Sequence, residues 1–73
     1  GIHMTFQEKL MALRKQHGWS QEYLGIQIGV SRQTINAIEK GEYNPTIKLC
    51  LKICWALDCR LDDLFWEEKE NGE

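Results

Sequence analysis

The sequence predicts an all-α fold of five short helices, and three observations carry that prediction. Residues 20–39, SQEYLGIQIGVSRQTINAIE, read as two helices joined by a tight turn. Hydroxyl residues stand where four helices should begin, at Thr5, Ser20, Ser31 and Thr46, and glycines stand where three should stop, at Gly18, Gly29 and Gly41. Apolar side chains recur at helical spacing, in Phe6, Leu10 and Leu13 and again in Cys50, Ile53, Cys54 and Leu57. A chain of 73 residues makes one domain with a modest core. It leaves no room for a large enzyme cleft.

Thr5 opens the first helix with Glu8 three residues on, the capping-box spacing. Phe6, Leu10 and Leu13 (with Met11 beside them) form its inward stripe. Gly18 ends it just after His17, a basic residue suited to the negative end of the helix dipole and expected as a surface or cap residue. Trp19 is expected to cover the junction with the next helix.

Ser20 caps the second helix, whose Leu24 and Ile28 lie four apart on one face. Gly29 suits a left-handed helix end, Val30 is an apolar plug, and Ser31 caps the third helix. Ile35 and Ile38 point inward there, and Gly25 is small where the third helix must cross closely over the second. Together these features make a helix-turn-helix pattern.

Gly41 stops the third helix, and Pro45 keeps residues 42–46 as a loop. Thr46 starts a fourth helix, expected over residues 47–57 with Ile47, Cys50, Ile53, Cys54 and Leu57 on its core side. Leu61, Leu64 and Phe65 complete a short fifth helix. The domain is expected over residues 4–66, with residues 1–3 an expression-tag remnant and 67–73 an acidic tail expected to fray.

The net charge is −2, but it is unevenly spread. Residues 4–48 hold six cations against four anions, a net of +2, whereas residues 49–73 hold three against seven, a net of −4. Phosphate attraction is screened within roughly 8–10 Å at physiological salt, so a distant acidic tail weakens steering without forbidding nucleic-acid binding. No apolar run approaches the roughly 18 residues of a membrane span, and no signal peptide is expected. A cytoplasmic location is expected.

Three cysteines raise metal and redox readings. Cys50, Cys54 and Cys59 have no histidine or fourth cysteine nearby, and a structural zinc site usually takes four protein ligands. They are expected to pack as small hydrophobes, with no metal and no cofactor. Nor is there a Ser/His/acid or Cys/His arrangement, so an enzyme is not expected.

Residues Gln21, Leu24, Gly25, Ile28, Gly29, Val30, Ser31, Ile35, Ile38 and Glu39 stand in the register of the lambda-repressor-like, Cro-type (xenobiotic-response-element) family of DNA-binding domains, which the chain strongly resembles. The resemblance continues through LRKQHGWS upstream and EKGEYNPTIKLCLKICWALDCRLDDLFW downstream. It implies a compact five-helix domain binding double-stranded operator DNA, with the third helix in the major groove. Base-reading positions of the family match Arg32, Gln33 and Asn36, which share the face opposite Ile35 and Ile38 with Ala37. Arg32 suits guanine, Gln33 or Asn36 adenine, and Ala37 a thymine methyl. Gln21 matches a family phosphate contact, and Ser31, Thr34, Lys40, Tyr43 and Asn44 are further phosphate candidates around the recognition helix. Glu42 departs from a position that is often basic in the family and is not assigned to the interface. Arg14 and Glu39 match an internal ion pair of the family, here a structural pair.

Operators of this class are usually two-fold, so a homodimer is expected. Leu51 and Trp55, off the core stripe of the fourth helix, and Trp66 are the expected interface. The function expected is that of a transcriptional regulator, a repressor, acting on DNA without a membrane or small-molecule substrate. The alternative is a protein-interaction module such as the antitoxin of a toxin–antitoxin pair, with a protein partner held by the tail or the Trp55 surface.

Overall fold

Residues 4–65 of the computed structural model are described here, and they form α1 (Phe6–Gln16), α2 (Gln21–Ile28), α3 (Arg32–Glu39), α4 (Ile47–Leu57) and α5 (Leu61–Phe65). The fold is all-helical, with no strand among the described residues. Each of the first four helices starts on a hydroxyl that accepts from the third backbone N–H inside: Thr5 from Glu8, Ser20 from Tyr23, Ser31 from Thr34 and Thr46 from Leu49. At Thr5 the box closes fully, because the Glu8 carboxylate accepts the Thr5 N–H at 2.9 Å.

The stops are equally local. Gly29 caps α2 with φ +81°, a left-handed turn that a β-carbon would oppose. At the end of α4 that conformation falls instead to Asp58, with φ 54°.

Leu10, Leu24, Ile28, Ile35, Ile38, Ile53, Cys54, Leu57 and Leu64 form the core, drawn from all five helices. Phe6, Leu13, Trp19, Val30 and Leu61 pack around it. Phe6 stacks on Phe65 with ring centroids 4.3 Å apart, joining the start of α1 to the end of α5.

On α4 the core stripe differs from expectation. Ile47 is 71% exposed, and Leu49 packs against the core in its place. Ile47 is the first residue of the helix, and the buried stripe begins only at Cys50, about one turn on. Leu51, expected outside that stripe, is half-buried.

The cysteines are all free thiols, Cys50 and Cys54 buried and Cys59 half-buried. Burial, with Cys59 alongside, pushes the Cys54 thiol up to about 12 from its ordinary 9.0. Burial also raises Cys50 and Cys59. The folded protein thus keeps protons that the unfolded chain loses above about pH 9. Stability is therefore expected to be unaffected by these groups below pH 9 and to fall between pH 9 and 12, with a shallower fall in Cys54→Ala. Urea unfolding at stepped alkaline pH checks this, and equal slopes for the two proteins would refute it.

Candidate nucleic-acid interface

The geometry of the α2–α3 pair begins with the residue at which the two helices come closest. Gly25 is buried on α2, and a β-carbon there would lie 2.6 Å from the Val30 carbonyl oxygen. The turn is held by the same residue, since the N–H groups of Gly29 and Val30 both donate to the Gly25 carbonyl, at 2.8 and 2.9 Å. Ile35 and Ile38 then seat α3 in the core.

A polar bridge fixes the other side of α3. Arg14 on α1 donates through Nε to Glu39 Oε2 at 2.7 Å and through Nη2 to Oε1 at 3.1 Å. Its Nη1 donates to the Trp19 carbonyl at 2.8 Å, so one guanidinium ties α1, the α1–α2 link and α3 together. Glu39 is 5% exposed and Arg14 8%. The pair is buried and bidentate, so each charge is compensated only while its partner remains.

With α3 placed this way, Arg32 and Gln33 are exposed at its first turn, whereas Asn36 and Ala37 are half-buried. Ser31, Lys40, Tyr43 and Asn44 are exposed, and Thr34 is half-buried with its hydroxyl 3.1 Å from that of Ser31. The Ser31 hydroxyl already serves the cap, accepting the Thr34 N–H at 3.1 Å. At the head of α2, the N–H groups of Gln21 and Glu22 are among those a helix leaves without an internal partner, at the positive end of its dipole. Gln21 itself does not extend freely outward. Its amide nitrogen donates to Glu39 Oε1 at 3.0 Å and to Asn36 Oδ1 at 3.2 Å.

Beside this region His17, Trp19 and Tyr23 form a run of tilted ring contacts, at 5.1 and 4.9 Å between centroids. His17 Nδ1 lies 2.9 Å from the Leu13 carbonyl at the end of α1. Away from α3, Ile26 is 68% exposed and Trp55 74%, and with Ala56 and Lys52 they line a shallow groove between α2 and α4. Trp66 and residues 67–73 lie outside the described residues. No group of three or more side chains suited to a metal ion occurs among the described residues, and none of the described helices is long and apolar enough to cross a membrane.

Sequence reasoning missed the Gln21 bridge and the Ile26 side of the groove. Both depend on how α2 meets another helix, and neither leaves a mark in the periodicity of α2 alone.

Known proteins resemble the chain in sequence and in structure. A helix-turn-helix family profile matches residues 10–64. An uncharacterized HTH-type transcriptional regulator of Bacillus subtilis strain 168, YgzD, is 52% identical over 63 residues, spanning 86% of this chain and 96% of that protein. Among solved structures, the P22 c2 repressor in complex with a synthetic operator superposes with a TM-score of 0.81 at 32% identity, covering 85% of this chain and 94% of the repressor. The restriction-modification controller protein C.AhdI of Aeromonas hydrophila gives 0.79 at 35% identity, over 82% of this chain and 91% of its own.

Proposed function

The chain belongs to the lambda-repressor-like, Cro-type helix-turn-helix family of DNA-binding transcriptional regulators, and from that premise we propose that it is a repressor occupying a two-fold operator as a homodimer. The observation that carries this is the placement of Arg32 and Gln33, exposed at the first turn of a helix whose opposite face is anchored in the core. Arg32 forks onto guanine, Gln33 and Asn36 address neighbouring bases, and Ala37 meets a thymine methyl. Lys40, Tyr43, Asn44, Ser31 and Thr34 border that helix and serve the phosphates, together with the head of α2. Residues 4–66 are the DNA-binding unit in this proposal, and 67–73 an acidic tail outside it. The likeness to a repressor in complex with its operator supports the repressor role.

Selection from a random duplex library at physiological salt tests the proposal. A two-fold site should be enriched, and Arg32→Ala should lose roughly tenfold in affinity and relax one base pair in each half-site. An Arg32→Ala protein selecting the wild-type site unchanged would remove Arg32 from the reading surface.

The dimer is proposed through the α4 surface bearing Leu51 and Trp55. Its support is the exposure of Trp55 beside Ile26, more apolar surface than an isolated domain needs to show. Sedimentation giving a monomer at high micromolar concentration would exclude it. The same groove favours a second reading, in which a protein partner such as a toxin docks there. A monomer that enriches no DNA site would favour that alternative.

A further inference from the structure

Gln21 carries more than its place in the family implies, because the direction of every hydrogen bond around it is fixed by chemistry. Arg14 has only donors, and an ionised Glu39 only accepts. Gln21 must therefore turn its amide nitrogen, not its oxygen, toward Glu39 Oε1 at 3.0 Å. The second hydrogen of that nitrogen points to Asn36 at 3.2 Å, so the atom Asn36 offers is its carbonyl oxygen Oδ1. The Asn36 amine end is then the part of the amide outside the bridge. An ion pair between α1 and α3 thus sets, through one side chain of α2, which way round an amide on α3 is presented.

We propose that Gln21 is a positioning residue that fixes the polarity of the Asn36 amide, so that Asn36 meets its base edge as a hydrogen-bond donor, resting on α3 as the groove-facing helix. An asparagine free to rotate offers a donor and an acceptor side by side, the pair that adenine matches through N7 and its amine. With Oδ1 engaged by Gln21, the amine end suits edges that only accept, guanine O6 and N7 or thymine O4. Asn36 therefore selects guanine or thymine, not the adenine that its residue type alone implies. Gln21 contributes to specificity at one base pair rather than to phosphate anchoring through its side chain.

The test is the duplex selection run on the wild type, Asn36→Ala and Gln21→Met in parallel. Asn36→Ala identifies the base pair concerned, as the one whose preference disappears. At that pair the wild type is expected to favour guanine or thymine over adenine by roughly fivefold or more. Gln21→Met keeps the side-chain length and removes the donor, while Arg14 still holds both Glu39 oxygens. It is expected to bring adenine to parity at that pair alone, leaving the base pair set by Arg32 and the salt dependence unchanged. A merely structural Gln21 would weaken all sequences alike.

Adenine selected by the wild type at that pair would overturn the proposal. So would a Gln21→Met protein that keeps the wild-type preference while its salt slope drops by about one phosphate contact. NMR of the free protein gives a readout without DNA: the Gln21 side-chain amide protons, donated to Glu39 and Asn36, should exchange slowly with solvent in the wild type and faster in Asn36→Ala, and exchange unchanged by that substitution would overturn the bridge. A wild-type protein that enriches no site fails the DNA-reading function itself, while the NMR comparison still decides whether Gln21 holds Asn36.

Discussion

Arg14→Met is expected to destabilise the protein by about 3–5 kcal/mol, the cost of leaving one member of a buried ion pair alone. Glu39 would keep its carboxylate in a site where its side chain is 1% exposed, with the Gln21 amide as its remaining donor among the bonds described. The Trp19 carbonyl would lose its partner as well. For a domain of this size each kcal/mol is worth about 4–8 °C in Tm, so thermal unfolding at pH 7 should show a loss of at least about 12 °C. The double variant Arg14→Met/Glu39→Leu removes both charges and is expected to recover most of the loss, since apolar side chains of similar volume fill the same space. A double variant as unstable as Arg14→Met would show that packing around the pair, not the stranded charge, dominates.

Gly25→Ala is expected to cost about 2–3 kcal/mol and to impair DNA binding beyond what its stability explains. The added methyl would lie 2.6 Å from the Val30 oxygen and 3.3 Å from the carbonyl atoms of Ser31. Those neighbours are backbone atoms of the turn that launches α3, so relief requires α3 to shift against α2. A shift of that kind moves Arg32 and Gln33 together. At a temperature where both proteins are fully folded, affinity for the selected site should fall at least tenfold, by roughly 1.4 kcal/mol or more. An alanine variant with wild-type Tm and affinity would mean that the helices separate freely, contrary to the contact.

What could be read in the sequence was what neighbours within four residues decide. The caps at Thr5, Ser20, Ser31 and Thr46, and the stop at Gly29, follow from hydroxyl and glycine chemistry and required no tertiary information. The inward residues of α2 and α3 followed from spacing. Arg14 and Glu39 are 25 residues apart, and nothing local marks them as partners; their pairing came into view only through the family likeness. Ile47 shows the opposite limit, because periodicity placed it inward while the end of the core placed it in solvent. Asp58 was illegible for another reason: a left-handed residue that is not glycine announces itself only in the backbone. At the candidate interface, the sequence put Asn36 on the correct helix but could not reveal that Gln21 grips its oxygen.

The Phe6–Phe65 stack bears on how the molecule opens. Terminal helices of small domains commonly fray independently, each with its own low opening free energy. Here the first turn of α1 and the last turn of α5 share one ring contact, so neither can lift without uncovering the other's phenyl face. Hydrogen exchange at the two ends is thereby expected to be coupled into a single opening event, with a protease-susceptible state that exposes both ends together. The Arg14–Glu39 bridge holds the far end of α1 to α3, so the opening is expected to stop short of the α2–α3 pair.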